Sequence, residues 1–372
     1  MENLKRKKKI LVVNTNETGK NGVTNVIYNY LQAMTLHDMQ IDVIAINSPE
    51  RQYFDIINKL GGELFVVERS SKKVLTYWNS LRKIIRKGCY DAVHIHGNSH
   101  TVVVELSAAW LAGCPIRIVH SHNTQCEHAF IHRVMTPLFN RLVTHGLACG
   151  NAAGRWMFGK KSFCVINNGV DTKKFAYDET KREMIRAKYN WSSSCIVLGH
   201  VGYFYEVKNH RLIVKVFREL FDNNPNYRLL LIGDGPLRQS ISDALKNDGL
   251  LSYSVLTGNI NNVEDYVNAM DVVLMPSIFE GLPLTLIEQQ ANGLQCVVSE
   301  NITREVDKTG NVKFLSLEQP LQDWVNSVQS CGGNRNERSI NAVRDIKERG
   351  YDFCVEAEKL CDYYTRIIGD KK

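Results

Sequence analysis

The chain has 372 residues, 44% of them hydrophobic and 23% charged, which is comfortable for two α/β domains and too long for one ordinary core. About half of its net charge of +7 sits in the first nine residues, which carry Lys5, Arg6, Lys7, Lys8 and Lys9, and no basic stripe interleaved with aromatics occurs. That argues against nucleic acid and leaves an anionic membrane surface or an anionic substrate as partner. The most apolar long window, 101–119, holds Glu105, Arg117 and a Gly-Cys-Pro break, so no transmembrane helix is expected, and the run Ile10–Val13 is too short for a signal-peptide core.

In chain order, Ile10–Val13 reads as a buried parallel strand that runs into a loop, 14–22, ending at Gly22. Val23, Val26, Ile27, Tyr30, Leu31 and Met34 then recur at helical spacing. Strand, glycine loop and helix form the phosphate-cradling arrangement of doubly wound folds, although G-x-G-x-x-G is absent. Strands follow at 41–46 and 64–67, a helix at 74–87, a strand at 92–96, a helix at 101–111 and a strand at 116–119. Such alternation implies a parallel sheet covered on both faces. Histidines mark the carboxyl ends of two of these strands, His94, His96 and His100 in one place and His120 and His122 in the other, which suggests a polar cleft wall. Residues 124–145 read as helical, with strands at 146–149 and 162–166 around a helix at 152–158. The segment 170–192 reads as an interdomain linker after Gly169.

A second α/β domain opens with the strand 196–201 and Gly202-Tyr203, followed by Lys208 before a helix at 211–221. Glycine at a strand end and lysine at a helix start read as an anion site. After the strand 227–232, Gly233-Asp234-Gly235-Pro236 reads as a helix start with Asp234 as cap. The strand 254–257 leads to Ile260, and the apolar strand 272–275 runs into Pro276–Glu288. Pro283 suits a first helical position, so the amides of Gly281 and Leu282 should be free to meet a diphosphate. Glu280 precedes that turn and Glu288 lies about one and a half turns beyond it, where a carboxylate can accept both hydroxyls of a ribose. A strand at 296–298 and three helical patterns close the chain. The ten cysteines contain no C-x-x-C pair and read as reduced, mostly buried apolar side chains without a zinc site.

The strand, Pro-Ser, Glu-Gly and helix with a second glutamate closely resemble the donor-site motif of glycosyltransferase family 4, a retaining family with the GT-B fold. A glycosidase reading of the two glutamates lacks the spacing of carboxylates across one bond. The resemblance implies two Rossmann-like, doubly wound parallel-sheet domains facing a cleft. They would be an acceptor domain at 1–170, with the helix at 352–372 packing back on it, and a donor domain at 171–351. It implies that Gly22 lets a loop approach the donor diphosphate, that His122 or His120, with His122 favoured, meets the sugar's outer hydroxyls, and that the backbone near Ile260 contacts the base. Glu280 would orient the sugar and Glu288 hold the ribose, while Lys208 and the amides of Gly281 and Leu282 stabilise the leaving diphosphate beside Gly202. No metal-binding D-x-D is evident, so no cofactor or metal is expected.

The chain departs from the family pattern in two places. Tyr203 stands where an arginine commonly follows the glycine, and Asn21 precedes Gly22 where a second glycine is common. The implied function is transfer from a nucleotide-diphosphate sugar, UDP favoured over GDP, to a saccharide or lipid-linked acceptor in polysaccharide biosynthesis. The implied place is the cytoplasm, at the inner face of the membrane. A non-catalytic nucleotide-sugar-binding protein and a nucleotide-sugar epimerase are the alternative readings, and Tyr203 is the feature that favours the first.

Overall fold

A computed structural model describes residues 6–17, 22–36, 38–47, 49–124, 126 and 129–369. Lys5, residues 18–21 of the first glycine loop, 125, 127 and 128 of the expected helical stretch, and 370–372 of the expected last helix lie outside the described residues. The chain forms two compact units, 1–169 with 353–372, and 170–352.

The first unit begins β1 (Lys8–Glu17), α1 (Gly22–Ala33), β2 (Met39–Ile46), α2 (Arg51–Lys59), β3 (Leu64–Val67) and α3 (Val74–Gly88). It continues β4 (Ala92–His96), α4 (Val103–Leu111), β5 (Ile116–Ser121), α5 (Ala129–Leu142), β6 (His145–Ala148), α6 (Asn151–Phe158) and β7 (Cys164–Val165). These strands make a seven-stranded sheet in the order β3-β2-β1-β4-β5-β6-β7. Ile10, Leu11, Val12 and Val13 are all buried, because helices cover both faces and the strand cannot alternate with polar residues.

The second unit runs α7 (Thr172–Phe175), α8 (Glu179–Lys188), β8 (Ile196–Val201), α9 (His210–Asn223), β9 (Tyr227–Ile232), α10 (Arg238–Asn247) and β10 (Ser254–Leu256). It ends α11 (Val263–Ala269), β11 (Val272–Met275), α12 (Leu284–Ala291), β12 (Gln295–Ser299), β13 (Val312–Leu315), α13 (Leu321–Gln329) and α14 (Arg335–Glu348). Its six-stranded sheet has the order β10-β9-β8-β11-β12-β13. The last helix, α15 (Phe353–Gly369), belongs to the first unit and packs on α1. In each sheet the chain winds outward from the centre in both directions. The order reverses between β1 and β4 in one and between β8 and β11 in the other, and ligands bind open α/β sheets at such points.

Several expectations need correction. The segment 170–192 is no linker: α7 and α8 sit in it, and Phe175, Ile185 and Trp191 enter the core of the second unit. Arg182 and Arg186 each reach Asp271 at 2.5 Å and also donate to main-chain carbonyls around residue 269, so a polar-looking helix is clamped by charge-assisted bonds. Helix α2 buries only Tyr53 and Ile57, a single turn of periodicity, so the sequence does not mark it. Strand β13 leaves all four of its residues only half-buried, so no apolar run marks it. The expected strand 162–166 shrinks to Cys164–Val165. Asp234 does not cap α10, which starts at Arg238 after Leu237; its carboxylate instead accepts from the amide of Gly235. All ten cysteines are free thiols, but only Cys114, Cys195 and Cys296 are fully buried.

Candidate functional site

In the second unit, loops from the adjacent central strands β8 and β11 bring the expected residues together. After β8 the chain passes Gly202 and Tyr203 into a single 3-10 turn, Glu206–Lys208, and Asn209 adopts a left-handed conformation that launches α9. The loop after β11 is tied to it by the Ile278 amide donating to the Val207 carbonyl at 2.8 Å. Across that junction the Lys208 ammonium meets Glu280 Oε1 at 2.5 Å, with both side chains largely buried. Tyr203, Tyr205, Ile278 and Phe279 project from the same two loops, each at least half exposed.

Glycine is needed here by close approach. A Cβ on Gly202 would lie 3.0 Å from His200 Nε2 and 3.4 Å from Lys208 Cε. One on Gly233, whose φ of +135° already disfavours a side chain, would strike the Gly202 carbonyl oxygen at 2.0 Å. The ends of β8 and β9 are thereby pressed together under Lys208. Burial pushes His200 well below its ordinary value and His210 down to about 4, with Lys208 adding repulsion to both, so neither supplies a second cation.

Helix α12 starts at Leu284, one residue later than expected, with Pro283 as an extended cap and no side-chain cap. The Leu286 amide donates to the Pro283 carbonyl at 3.1 Å, which leaves the amides of Leu284 and Thr285 without an intrahelical acceptor. Gly281 is exposed with open space around it, whereas Leu282 packs partly on the core. Half-buried Glu288 has its carboxyl pushed up to about 8, first by desolvation and then by Glu264 and Asp171, with Lys174 partly offsetting them. Lys174 is itself 3.2 Å from Glu264. Ile260 packs partly against the same core. Sequence reasoning missed Arg238, whose guanidinium stands over Gly258, donates to the Leu256 carbonyl at 2.9 Å and leaves Nη1 without a hydrogen-bond partner among the described residues. It missed Lys174 as well. Both look like ordinary helix charges in the chain, and only the fold aims them.

In the first unit the histidines form one stack rather than two groups on a cleft wall. His96 on β4 pairs in register with His120 on β5, and alternation puts His94, His96, His120 and His122 on one face of the sheet. His94, His96 and His120 are buried; His122, just past the strand end, is the one partly open to solvent. His94 Nδ1 lies 2.5 Å from the Tyr364 hydroxyl, His96 Nδ1 2.8 Å from His122 Nε2, and His122 Nδ1 2.9 Å from Asn168 Oδ1. His100 sits apart, bound to the carbonyls of His132 and Met157 and to Thr136. Nitrogens of His94, His96 and His120 fall within 4.8 Å of one another, a donor set suited to a transition metal. Their rings, however, are inclined by only 8° to 32°, so three in-plane lone pairs are not aimed at one centre. Gly22 opens α1 with nothing among the described residues within 4 Å of its Cβ position.

Burial lowers His94 to about 3 and His122 to about 4, and burial, with the neighbouring imidazoles adding to it, holds His96 and His120 well below their ordinary value too. Unfolded histidine binds its proton near pH 6.5, so between pH 6.5 and about 4 the unfolded chain holds more protons and stability falls with acid. The loss is about 1.4 kcal/mol per pH unit for each such histidine. Urea midpoints of the first unit should therefore drop steeply from pH 7 to pH 5; a flat profile would remove the buried neutral stack.

Two parallel-sheet α/β units, each wound outward from a central strand pair, are the architecture of the GT-B type. The profile described as Glycosyltransferase Family 4 matches residues 20–174 and that described as Glycosyl transferases group 1 matches 195–331. The chain is 31% identical over 360 residues to the putative glycosyltransferase EpsF of Bacillus subtilis, covering 93% of this chain and 94% of that protein. It is 26% identical to the UDP-Gal:alpha-D-GlcNAc-diphosphoundecaprenol alpha-1,3-galactosyltransferase of Escherichia coli, covering 78% and 79%. HepE of Anabaena in complex with UDP superposes with a TM-score of 0.77 at 14% identity, covering 96% of this chain and 100% of that one. A glycosyltransferase from Rickettsia africae gives 0.78 at 15% identity, covering 98% and 100%. The chain belongs to glycosyltransferase family 4, and it is a glycosyltransferase of the GT-B type. Among the described residues no helix is long and apolar enough to cross a membrane.

Proposed function

We propose that this protein transfers a sugar, with retention, from a nucleotide-diphosphate donor to a saccharide or lipid-linked saccharide in polysaccharide biosynthesis, working at the cytoplasmic face of the membrane. The observation that carries the reading is the Lys208–Glu280 pair at the β8/β11 reversal, beside the uncapped start of α12. Fixed positive charge and unpaired amides are what a departing diphosphate needs, and they stabilise it without a metal. In this reading Glu280 orients the sugar, Glu288 takes the ribose hydroxyls, and the backbone beside Ile260 meets the base. Gly22 and His122, with His120 behind it, serve the donor from the first unit. Arg238, whose Nη1 makes no hydrogen bond among the described residues and lies 3.9 Å from Asp234 Oδ1, adds a cation where Tyr203 replaces arginine.

A UDP-sugar is favoured because HepE was solved with UDP and with UDP-glucose, and because the Escherichia coli relative is named for UDP-Gal and a diphosphoundecaprenol acceptor. Transfer from a panel of nucleotide sugars to lipid-linked saccharides tests this. Product with the donor's anomeric configuration is expected from at least one UDP-sugar, and nucleotide binding without product across the panel would refute it. Tyr203 favours one second reading, a protein that binds the nucleotide sugar without turning it over, in which Tyr203→Arg would create activity.

A further inference from the structure

Two tyrosines flank a buried anchor in the loop after β8. Phe204 is 0% exposed and packs in the core, while Tyr203 is 58% exposed and Tyr205 55%. The backbone that carries them is fixed. Phe204 donates its amide to the Asp234 carbonyl at 2.8 Å, its own carbonyl accepts from the Leu237 amide at 3.1 Å, and the Tyr205 carbonyl accepts from the Lys208 amide at 3.0 Å. Both tyrosine rings go to the side away from the anchor, with centroids 6.3 Å apart and planes inclined by 30°. Phe279, 53% exposed, and Ile278, 50% exposed, extend this surface from the loop after β11, which Asn301 holds by donating to the Ile278 carbonyl at 3.0 Å. Singly exposed apolar side chains need no explanation, but four on two loops bonded to each other mark a binding surface.

The chemistry around the patch says what it takes. Glu206, next to Tyr205, pairs with Arg211 at 3.7 Å, so the tyrosines stand beside no free charge that would select an anion. A neutral pyranose ring matches them. Its C–H faces lie flat on an aromatic ring, and its hydroxyls point outward to a polar rim such as Glu280 and Lys208. In the reading above, the nucleobase goes to the loop after β10, two strands away from β8, and the donor's one sugar goes to Glu280. The two tyrosine faces are left for a sugar that the donor does not carry.

We propose that Tyr203 and Tyr205, flanked by Phe279, form a stacking platform in the second unit for a neutral pyranose ring of the acceptor. The inference rests on the sugar-transfer reading and adds to it the side chains that grip the acceptor and the part they grip, a sugar ring rather than a lipid or a phosphate. Rigid aromatic faces suit this task because little freedom is lost when the sugar lands on them.

The test is saturation-transfer NMR of the full chain with the methyl glycosides of N-acetylglucosamine, galactose and glucose, each with and without UDP. Ring protons of at least one glycoside should receive saturation from the protein. Tyr203→Ala with Tyr205→Ala should raise that glycoside's Kd, and its KM as acceptor, about tenfold, the loss of two stacking contacts, while Tyr203→Trp with Tyr205→Trp restores both. Undiminished glycoside binding by the alanine variant would overturn the proposal, as would a wild type that takes up none of the three. Loss of UDP binding along with the glycoside would also overturn it, since the tyrosines would then serve the nucleotide, and so would a dimer that the alanine variant dissolves. The glycoside titrations need no turnover. A wild type that binds a glycoside through the tyrosines yet transfers no sugar would refute sugar transfer and leave the platform standing.

Discussion

Lys208→Ala is expected to lower turnover of the nucleotide sugar by about 10²- to 10³-fold, the usual loss when one preorganised stabiliser of developing negative charge is removed. Lys208 is held by position rather than by chance. Gly202 gives its stem room, the glycine at 233 locks the adjoining strand end, and Glu280 receives its ammonium at 2.5 Å. Glu280→Gln separates the two roles. It leaves the ammonium in place and removes its competing partner, so nucleotide affinity should be kept or improved while transfer falls. Steady-state rates and nucleotide titrations of both variants make the comparison. Similar turnover for wild type and Lys208→Ala would take the diphosphate away from this loop.

Glu288 gives the second large effect, and its sign is worked from burial. A carboxyl lifted to about 8 is mostly neutral at pH 7, whereas a carboxylate is the form that accepts two ribose hydroxyls. Nucleotide affinity should therefore rise with pH, by up to about tenfold per unit below pH 8, and level off above it, with a proton released on binding. Calorimetry in buffers of different ionisation enthalpy measures that proton directly. Glu288→Gln should flatten the profile, and a wild-type profile already flat between pH 6 and 8 would contradict the role. In the free protein the same group acts the other way. Its raised value makes the folded state the better proton binder between pH 4.5 and 8, so its contribution to stability declines across that range, opposite to the histidine stack.

The parts of the molecule readable from the chain were those with a continuous physical signal. The strand 272–275 is an unbroken apolar run and 92–96, 196–201 and 227–232 are dominated by apolar residues because both sheet faces are covered, and their bounds match the structure. The Glu280–Glu288 stretch was readable because strand, turn chemistry and helix follow one another within a few residues. What stayed hidden depends on residues distant in sequence. The clamp of Arg182 and Arg186 on Asp271 turns an apparent linker into packed helices, and nothing local announces it. His94 and His96 looked like a group separate from His120 and His122 until strand register placed all four on one face. Lys174 beside Glu288 and Arg238 over Gly258 are ordinary charges until the loops converge.

The central claim is that the β8/β11 strand ends in the second unit receive the nucleotide diphosphate. The most direct measurement is a crystal structure of the protein with UDP. The account predicts diphosphate oxygens within hydrogen-bond reach of the Lys208 ammonium and the first amides of α12, with the ribose on Glu288. Nucleotide density elsewhere, such as the first unit's cavity edged by Lys160 and Lys161, with the Lys208–Glu280 pair undisturbed, would contradict it.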